Sequence, residues 1–475
     1  MMMVYRFAPS PTGYLHVGGA RTAIFNFLLA RQANGRFLLR IEDTDRKRST
    51  TGFVAQIQNS LEWLRISWDE PPLFQSTRIK RHREIVRQLL VSGKAYACFC
   101  SQEELDRKRQ RAIAQKAPLR YDGTCRNLSD AERQQQAAAG IAAVIRLKTA
   151  GHDVVFDDVI RGSMRTSGDE IDDFVILRSD GTPVYQIAVV VDDHDMGVSH
   201  VIRGEDHLSN TPKQILIYQS LNWPVPVFGH LPLILGSDRN RLSKRHGATS
   251  VEEFREQGIL AEALFNYLCL LGWSPGNDLE ILSLQELIEN FDINRINKAG
   301  AVFDYQKLLW MNSKYLSAMK PEQLLKILEQ QIPDNYRAKL LSDNENALRL
   351  MGMLRERCRV ASDLVEGAQF YFEHPANYEE EGVTKHFGEV ARNYLEKIRS
   401  EISQIEYFNA AALETKIRAI ADKEGIGAGK LIHPLRLALT GKTSSPGIFD
   451  VLEVLGRKTV LERIDRALDY IDRLK

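Results

Sequence analysis

The sequence predicts an α/β region with a parallel, doubly wound sheet at the N-terminal end of the chain and an all-α region at its C-terminal end. Two observations support this prediction. Within residues 4–41 a strand, a turn, a helix and a second strand follow one another, which is how a parallel sheet with crossover helices begins. Beyond residue 316 apolar residues recur every three or four positions, which is the spacing of amphipathic helices.

The N-terminal elements follow from apolar runs and from helix signals. Residues 4–8 predict a short buried strand, and the prolines and glycine of residues 9–13 then interrupt regular structure. Residues 19–33 carry apolar side chains at helical spacing, which predicts a helix, and the Asn-Gly pair at 34–35 ends it. Residues 36–41 predict the next strand.

Two apolar stripes define the C-terminal helices most clearly. The first stripe predicts a helix that continues to residue 365 and consists of Met351, Leu354, Cys358, Ala361 and Val365. The second stripe predicts a helix at the end of the chain and consists of Leu461, Ile464, Leu468, Ile471 and Leu474. A bundle of helices with a solvated, partly basic surface is the simplest structure that this pattern predicts.

Composition limits the class of protein. The 475 residues suffice for two to four domains, and a net charge of +1 gives no general attraction to a polyanion. No apolar run is long enough to span a membrane, and five cysteines, an odd number, argue against a disulfide scaffold. We therefore expect a cytoplasmic protein without a membrane partner. Basic runs at 46–48, 80–83 and 107–111 predict solvated surface unless other features indicate nucleic acid.

The segment at residues 9–19 has the features of a phosphate-binding turn. Small residues at a helix N-terminus, here Gly18 and Gly19, let a polyphosphate approach unpaired backbone N–H groups. His16 can donate a hydrogen bond to a phosphate oxygen, and Thr12 can add another. The spacing matches neither the dinucleotide fingerprint nor the Walker loop. From this segment alone, a tight structural turn explains the residues equally well.

A second segment lies about 225 residues downstream, at residues 241–247. It belongs to a polar loop, residues 236–247, that follows the apolar run 231–235. A mobile loop that carries a lysine can close over a triphosphate and neutralise the charge that develops as pyrophosphate leaves. Alone, an exposed Lys-Arg pair is the simpler explanation. Together and in this order, the two segments predict one ATP site that activates a carboxylate.

The two segments resemble the signatures of the class I aminoacyl-tRNA synthetases. Residues 16–19 correspond to the His-x-Gly-His-like element, and residues 241–245 to the Lys-Met-Ser-Lys-Ser-like loop. Glycine at position 19 and arginine at position 241 are variants typical of one branch, the glutamyl-tRNA synthetases. Further blocks of sequence resemble the same family, and they lie at residues 6–13, 40–45, 201–207, 266–273 and 296–304.

This resemblance implies a glutamate–tRNA ligase that acts as a monomer. Such an enzyme activates L-glutamate with ATP and Mg²⁺ to glutamyl-adenylate and transfers it to the 3′-terminal ribose of tRNA(Glu), releasing AMP and pyrophosphate. The resemblance gives His16 and Lys244 catalytic roles. It implies ATP contacts from Thr12, His16, Gly18, Gly19, Ser243, Lys244 and Arg245. The alternative is a duplicated form of the enzyme, which charges either mainly tRNA(Gln) or tRNA(Gln) as well as tRNA(Glu).

Glutamate carries two carboxylates and one ammonium group, so a selective pocket needs two cationic side chains and one anionic side chain. Arginine suits the first task because it binds carboxylates with two parallel hydrogen bonds. Arg6 and Arg203 are the candidates, and Glu42 can bind the ammonium group. The resemblance implies that Arg6 and Tyr185 contact the side-chain carboxylate, that Arg203 contacts the α-carboxylate, and that Ser10 lies nearby. The acidic residues at 192–195 are expected to orient neighbours and to hold no metal.

Three of the five cysteines predict a zinc site. Cys98, Cys100 and Cys125 have the spacing of a small zinc-binding element that some relatives carry. The family position for a fourth ligand is Asn127 here, which is a poor zinc ligand, so Tyr121, His152 or water would have to replace it. Three free thiols in a domain that has lost its metal explain the pattern equally well.

The resemblance also implies a domain organisation. A Rossmann-like catalytic domain is expected at 1–75 and 187–250, with an inserted α/β acceptor-stem-binding domain at 76–186. A helical stem-contact region is expected at 251–315, and an all-α anticodon-binding domain at 316–475. Within the last domain, Arg357 and the loop at residues 440–447 are the expected anticodon contacts.

Three other interpretations compete with this one. A ligase similar to pantothenate synthetase shares both nucleotide-binding segments, but it has no need for about 160 helical residues after position 315. A truncated paralogue that glutamylates a modified tRNA base would lack the helical C-terminal region. A tRNA-binding protein without catalytic activity would not need the candidate catalytic residues to be intact.

Overall fold

The computed structural model describes residues 2–45, 49–117 and 119–474, and it describes Lys244 by its backbone only. The basic run at residues 46–48 therefore lies outside the described residues. The chain forms two compact units, Met1–Arg255 with Ala261–Tyr305 and Glu256–Leu260 with Gln306–Lys475. Among the helices of the described residues, none is both long enough and apolar enough to cross a membrane.

The first unit combines strands and helices. Its strands are β1 Val4–Phe7, β2 Arg36–Ile41, β3 Leu73–Phe74, β4 Ala95–Cys98, β5 Val144–Leu147, β6 Val154–Asp158, β7 Gly162–Thr166, β8 Val175–Leu177, β9 His200–Gly204, β10 Val227–Leu231, β11 Ile234–Leu235 and β12 Ala301–Val302. The helices of this unit are α1 Val17–Gln32, α2 Thr51–Trp63, α3 Ile79–Val91, α4 Gln102–Ala114, α5 Asp130–Ala138, α6 Tyr185–Asp195, α7 Thr211–Ser220, α8 Val251–Glu256, α9 Ala261–Leu270 and α10 Leu284–Asn290. The helix that begins at Tyr305, the last residue of this unit, is described with the second unit.

Parallel strands form the centre of this unit, as the sequence predicts. β1, β2 and β3 pair in parallel, and so do β9 and β10. Ser199 joins the two sets, since its backbone N–H donates to the Val4 carbonyl (3.0 Å) and its hydroxyl accepts from the Val4 N–H (2.8 Å). The expected strand at 36–41 is confirmed, and the expected strand at 4–8 ends one residue earlier.

A mixed α/β segment separates the two sets of parallel strands along the chain. β4, β5 and β8 form an antiparallel sheet, and β6 and β7 form an antiparallel hairpin. The hairpin is attached to the parallel strands because β6 pairs with β10, with Asp158 opposite Phe228. Residues of the segment therefore reach the edge of the central sheet, where the candidate site lies.

The second unit is helical throughout its described residues, as the sequence predicts. Its helices are α11 Tyr305–Ala318, α12 Pro321–Glu329, α13 Asp334–Ser342, α14 Asn344–Leu354, α15 Ser362–Phe372, α16 Glu380–His386, α17 Glu389–Ser403, α18 Ala410–Glu424, α19 Gly429–Thr440 and α20 Ile448–Asp472. Their apolar faces pack into one large core.

The predicted continuous helix through residue 365 is wrong. α14 ends at Leu354 and α15 begins at Ser362. The carboxylate of Asp363 accepts hydrogen bonds from the N–H groups of Arg359 (2.7 Å) and Val360 (3.0 Å), which starts a new helix instead of continuing the old one. The turn between the helices still buries Cys358, so the apolar spacing there reflects burial in a turn. The predicted stripe near the C-terminal end lies in α20, apart from its last residue.

Arg463 ties the core of the helical unit together. Its side chain is buried, and its Nη2 atom donates to the carbonyls of Phe370 (2.7 Å) and Glu373 (2.5 Å) while Nη1 donates to that of Leu439. These carbonyls belong to the C-terminal ends of α15 and α19, where helices have unpaired acceptors. One cation therefore satisfies the ends of two helices.

We expect Arg463→Met to lower the free energy of unfolding of the helical unit by about 3 kcal/mol, because two buried carbonyls and one partly buried carbonyl lose their donor. Urea unfolding of the full chain, followed by far-UV circular dichroism, measures this change. Arg466→Met is the matched control, since Arg466 lies one turn away on α20 and is exposed. Equal stability of the two variants would contradict the role assigned to Arg463.

Candidate active site

A cavity of about 700 Å³ opens at the carboxyl ends of the parallel strands. Its walls come from the segments that follow β1, β2, β9 and β10, together with the first turn of α1. In open parallel sheets, loops at this edge carry the ligand-binding groups. The sequence-predicted residues that line the cavity are Arg6, Ser10, Thr12, His16, Gly18, Gly19, Glu42, Tyr185 and Arg203.

His16 caps the N-terminus of α1 at one side of the cavity. Its Nδ1 atom accepts a hydrogen bond from the Gly18 N–H (3.1 Å). Burial lowers the pKa of His16, and the nearby positive charge of Arg241 lowers it further, so the ring is neutral at pH 7. Because Nδ1 is an acceptor, the single ring proton lies on Nε2. His16 can therefore donate to an anion while the turn of Gly18 and Gly19 offers backbone N–H groups.

The two remote segments of the sequence meet at this point. The Val17 N–H donates to the Thr249 carbonyl, and the Val251 N–H donates to the Leu15 carbonyl, each at 2.9 Å. This backbone pairing holds the end of the downstream loop against the start of α1. Arg241 accordingly lines the same cavity as His16.

The rest of the downstream loop turns away from the cavity. The Ser243 N–H donates to Nδ1 of His246 (3.1 Å), and Asp238 accepts from Arg245 (2.9 Å). Within the described part of the chain, Ser243 and Arg245 are absent from the cavity lining, although both are predicted ATP contacts. The 3₁₀ turn Lys244–His246 is described, whereas the side chain of Lys244 lies outside the described atoms.

A buried chain of alternating charges supports the floor of the cavity. Arg6 donates to Asp193 (3.2 Å), and Arg40 donates to both Asp193 (2.5 Å) and Glu42 (3.2 Å). Burial opposes the charge of Asp193, yet Arg40 and Arg6 together outweigh burial and lower the pKa of this carboxyl. At Glu42 burial prevails over Arg40 and Arg6, so its pKa is raised. A bound ammonium group would favour the charged form of Glu42.

Arg203 lines the cavity, and one of its donor atoms has no partner among the described residues. Its Nε atom donates to Nε2 of His230 (3.1 Å), and its Nη2 atom donates to Thr211 and Gln214, each at 2.8 Å. Among the residues that the structure describes, Nη1 of Arg203 is buried and has no hydrogen-bond partner. A buried guanidinium nitrogen without a partner is costly, and a ligand carboxylate would satisfy it.

Two neutral polar groups complete the wall near Arg203. The hydroxyl of Tyr185 lies 3.1 Å from Nδ1 of His207. Burial raises the pKa of Tyr185 to about 12, with a contribution from Glu42. Burial and then Arg203 lower the pKa of His207 to about 4. Both groups are therefore uncharged at pH 7, and the charges that face a ligand belong to the arginines and Glu42.

Sequence reasoning missed Arg40 and His207, and it assigned Asp193 only a general orienting role. Asp193 orients Arg6 and Arg40, whereas its neighbour Asp192 has other partners and accepts from Gln75 (3.0 Å). The acidic residues that directly follow the apolar run at 187–191 of α6 were the available signal for these contacts. The position of Arg40 carried no such signal. Arg40 lies next to the end of β2, where the sequence alone does not distinguish a buried arginine from an exposed one.

The three predicted zinc ligands lie together in the segment between the parallel strands. The sulfur atoms of Cys98, Cys100 and Cys125 lie within 4.8 Å of one another. The hydroxyl oxygen of Tyr121 is 3.3 Å from the Cys98 sulfur and 3.7 Å from that of Cys100. His152, one of the suggested alternatives, is exposed.

In the helical unit, Arg357 and the loop at residues 440–447 line one groove of about 580 Å³. Nη2 of Arg357 donates to the hydroxyl of Ser444 (3.0 Å). Arg436 supports the loop from behind, since it donates to the carbonyls of Ser445 (3.0 Å) and Pro446 (2.8 Å). The two predicted anticodon contacts are thus neighbours in space.

Comparison with known proteins covers nearly the whole chain. Residues 2–310 match the family "tRNA synthetases class I (E and Q), catalytic domain", and residues 317–468 match the family "Anticodon binding domain". The chain is 44% identical to glutamate–tRNA ligase 1 of Caldanaerobacter subterraneus, with 98% of each protein covered. It is also 44% identical to the glutamate–tRNA ligase of Geobacter sulfurreducens, with 98% of this chain and 99% of the relative covered.

A solved structure agrees with these relatives. A glutamate tRNA ligase from Elizabethkingia meningosepticum, crystallised in complex with its amino acid, superimposes with a TM-score of 0.90 at 32% identity. The match covers 99% of this chain and 100% of that structure. The chain therefore belongs to the glutamate–tRNA ligases, which are ATP-dependent class I aminoacyl-tRNA synthetases.

Proposed function

We propose that the 700 Å³ cavity is where this enzyme joins L-glutamate to ATP. The glutamyl group then passes to the 3′-terminal ribose of tRNA(Glu), and AMP and pyrophosphate leave. One observation carries the proposal: the cavity combines a helix N-terminus with two buried arginines, Arg6 and Arg203, and the largely buried carboxylate of Glu42. That set matches an α-amino acid with two carboxylates lying beside a nucleotide.

Glutamate would bind with its α-carboxylate on Arg203 and its side-chain carboxylate on Arg6 and Tyr185. The partnerless Nη1 atom of Arg203 supports the first contact. Glu42 would bind the ammonium group, which would offset the desolvation of its carboxylate, and Ser10 lines the same wall. Glutamine has one carboxylate fewer, so it would offer Arg6 a neutral amide in place of a carboxylate and lose a charge-assisted hydrogen bond.

ATP would lie along the first turn of α1. Thr12, His16, Gly18 and Gly19 line the cavity there and would contact its phosphates and ribose. Closure of the downstream loop would bring Ser243, Lys244 and Arg245 to the triphosphate, accompanied by Mg²⁺.

The chemistry requires positioning and charge stabilisation rather than a protein nucleophile. An oxygen of the glutamate α-carboxylate attacks the α-phosphorus of ATP, and the bond to pyrophosphate breaks. The ribose hydroxyl of tRNA then attacks the activated carbonyl, loses its proton and displaces AMP. His16 and Lys244 would act on the phosphates during the first step, because negative charge moves onto pyrophosphate there.

Binding of tRNA would extend over the whole chain. We propose catalytic segments at 1–75 and 187–250, an acceptor-binding insertion at 76–186, a stem-contact region at 251–315 and an anticodon-binding domain at 316–475. The family resemblance also favours a monomer in the cytoplasm, where the five free thiols would stay reduced. The full-length matches do not favour the competing interpretations, and the relatives' names do not favour charging of tRNA(Gln).

We expect the enzyme to charge purified tRNA(Glu) with labelled L-glutamate and to leave purified tRNA(Gln) uncharged, because the two anticodons differ at their third base and Arg357 lies in the groove proposed to read it. Arg357→Ala should lower charging of tRNA(Glu) about 10-fold or more, as expected for the loss of one base-reading arginine. Arg349→Ala is the control, since Arg349 is an exposed arginine in the same unit. Comparable charging of both tRNAs by the wild-type enzyme would contradict the proposal.

We expect Lys244→Ala to slow formation of glutamyl-adenylate by about 100-fold or more, because one positive charge on the transition state is lost. ATP–pyrophosphate exchange in the presence of tRNA measures this step. Lys244→Arg, which keeps the charge, should recover part of the rate. An exchange rate unchanged by the alanine substitution would refute the role of Lys244.

We also propose that Cys98, Cys100 and Cys125 bind one zinc ion, with the Tyr121 hydroxyl completing the site. The geometry of the sulfur atoms supports this proposal. A tetrahedral zinc site places its sulfur ligands about 3.8 Å apart, and the sulfur atoms of Cys100 and Cys125 are 3.6 Å apart. A zinc ion here would stabilise a small core that consists mainly of these same side chains.

We expect the purified protein to contain one zinc ion per chain, as measured by inductively coupled plasma mass spectrometry. Cys100→Ser should abolish the zinc content, and Tyr121→Phe should weaken zinc retention against a chelator without abolishing it. Cys269→Ser is the control, because Cys269 is buried in helix α9 among apolar residues. A metal-free wild-type protein purified without chelators would exclude the zinc site.

A further inference from the structure

We infer that Asp158 and His230 are positioning residues for the amino-acid site: they hold the guanidinium of Arg203 so that its Nη1 edge faces the cavity. Neither residue lines the cavity within the described part of the chain. The inference rests on the proposed role of Arg203 as the ligand of the glutamate α-carboxylate. It extends that role to a buried Asp–His–Arg chain.

The three side chains form a continuous hydrogen-bonded chain. Oδ2 of Asp158 is 2.5 Å from Nδ1 of His230, and Nε2 of His230 is 3.1 Å from Nε of Arg203. Asp158 and His230 are 2% and 0% exposed, and Arg203 is 5% exposed. Solvent therefore cannot replace any of these contacts.

Asp158 is held as an ionised acceptor. Its Oδ1 atom accepts hydrogen bonds from the backbone N–H groups of Ile160 (2.9 Å), Arg161 (2.8 Å) and His230 (3.2 Å). Burial opposes the charge, but the His230 ring and these backbone donors outweigh burial and lower the pKa of Asp158. An ionised carboxylate can only accept hydrogen bonds.

The ionised state of Asp158 determines the tautomer of His230. Because Asp158 can only accept, Nδ1 of His230 must carry the ring proton. Burial lowers the pKa of His230, so the ring keeps a single proton at pH 7. Its Nε2 atom is then a free acceptor for the Nε–H of Arg203, and Thr211 lies within 3.0 Å of the same atom.

Asp158 comes from the segment between the parallel strands rather than from those strands. It is the last residue of β6, which starts the hairpin attached to β10. The turn after β6 adds a second contact with the strand that carries Arg203. Arg161 of this turn forms an ion pair with Glu205, the residue that directly follows β9. The segment proposed to bind the acceptor stem thus reaches the residue proposed to bind glutamate.

Asp158→Asn tests this chain without a change of size. The three backbone donors require an acceptor, so the amide oxygen would face them and the amide N–H₂ would face Nδ1 of His230. The ring proton would then move to Nε2 and point at the Nε–H of Arg203. Arg203 would lose its acceptor and its fixed orientation.

We expect Asp158→Asn to raise the KM for L-glutamate about 10- to 100-fold, which corresponds to losing one hydrogen bond to a charged group. The KM for ATP should change less than about 2-fold, because Arg203 is not placed on ATP. Both constants are measured by ATP–pyrophosphate exchange with saturating tRNA, alongside the midpoint of thermal unfolding. Asp157→Asn is the matched control, since Asp157 is the preceding residue of β6 and is exposed.

A double-mutant cycle separates positioning from general damage to the fold. If Asp158 acts through Arg203, Asp158→Asn should add nothing to the KM for glutamate in an Arg203→Ala background. Full additivity of the two effects, or an equal rise in both KM values, would overturn the inference. If Asp158→Asn does not fold, His230→Phe provides the same test. It removes the Nε2 acceptor of Arg203 and keeps an aromatic ring at this position.

The outcomes also separate this inference from the proposed function. If Arg203→Ala raises the KM for glutamate while Asp158→Asn and His230→Phe do not, the positioning inference fails and the role of Arg203 stands. If Arg203→Ala leaves that KM unchanged, the proposed contact between Arg203 and glutamate fails, and the inference fails with it.

Discussion

The buried chain of charges from Arg6 through Asp193 and Arg40 to Glu42 is the constraint on which the candidate active site depends. Each charge taken out of water must be matched by an opposite charge, or the fold loses several kcal/mol. This chain of charges joins β1, β2 and α6. Packing of these three elements therefore also orients the side chains that face the ligand. This arrangement holds Arg6 and Glu42 in place beneath a cavity that glutamate would enter.

The side of the cavity proposed to bind ATP is assembled by backbone pairing rather than by charge. Residues 15–17 pair with residues 249–251, so two segments distant in sequence form one wall. The loop between β11 and that pairing is held at both ends, and its residues 237–241 are exposed, whereas Leu242 is buried. Such a loop can move over a nucleotide while its ends keep their places, which is what a closing step in adenylate formation requires.

The helical unit is stabilised differently from the α/β unit. Its core is large and apolar, and its polar buried groups serve mainly to satisfy helix ends, as Arg463 does. The groove beside Arg357 is likewise formed by a loop between two helices that Arg436 supports from behind. In both units, therefore, an arginine outside the proposed ligand contacts supports the groups proposed to bind the ligand: Arg40 beneath Glu42 and Arg436 behind the loop at residues 440–447.

The sequence by itself determined the family, the parallel sheet, the helical C-terminal region and most residues of the candidate site, because these depend on local motifs and on apolar spacing. It could not place Arg40 or His207, and it could not link Asp158 and His230 to Arg203, because those contacts join residues far apart in the chain. It also predicted one helix where the chain forms two, α14 and α15, with a turn between them. Only the tertiary structure decided these points, since the partner of a buried charge is chosen by packing and desolvation.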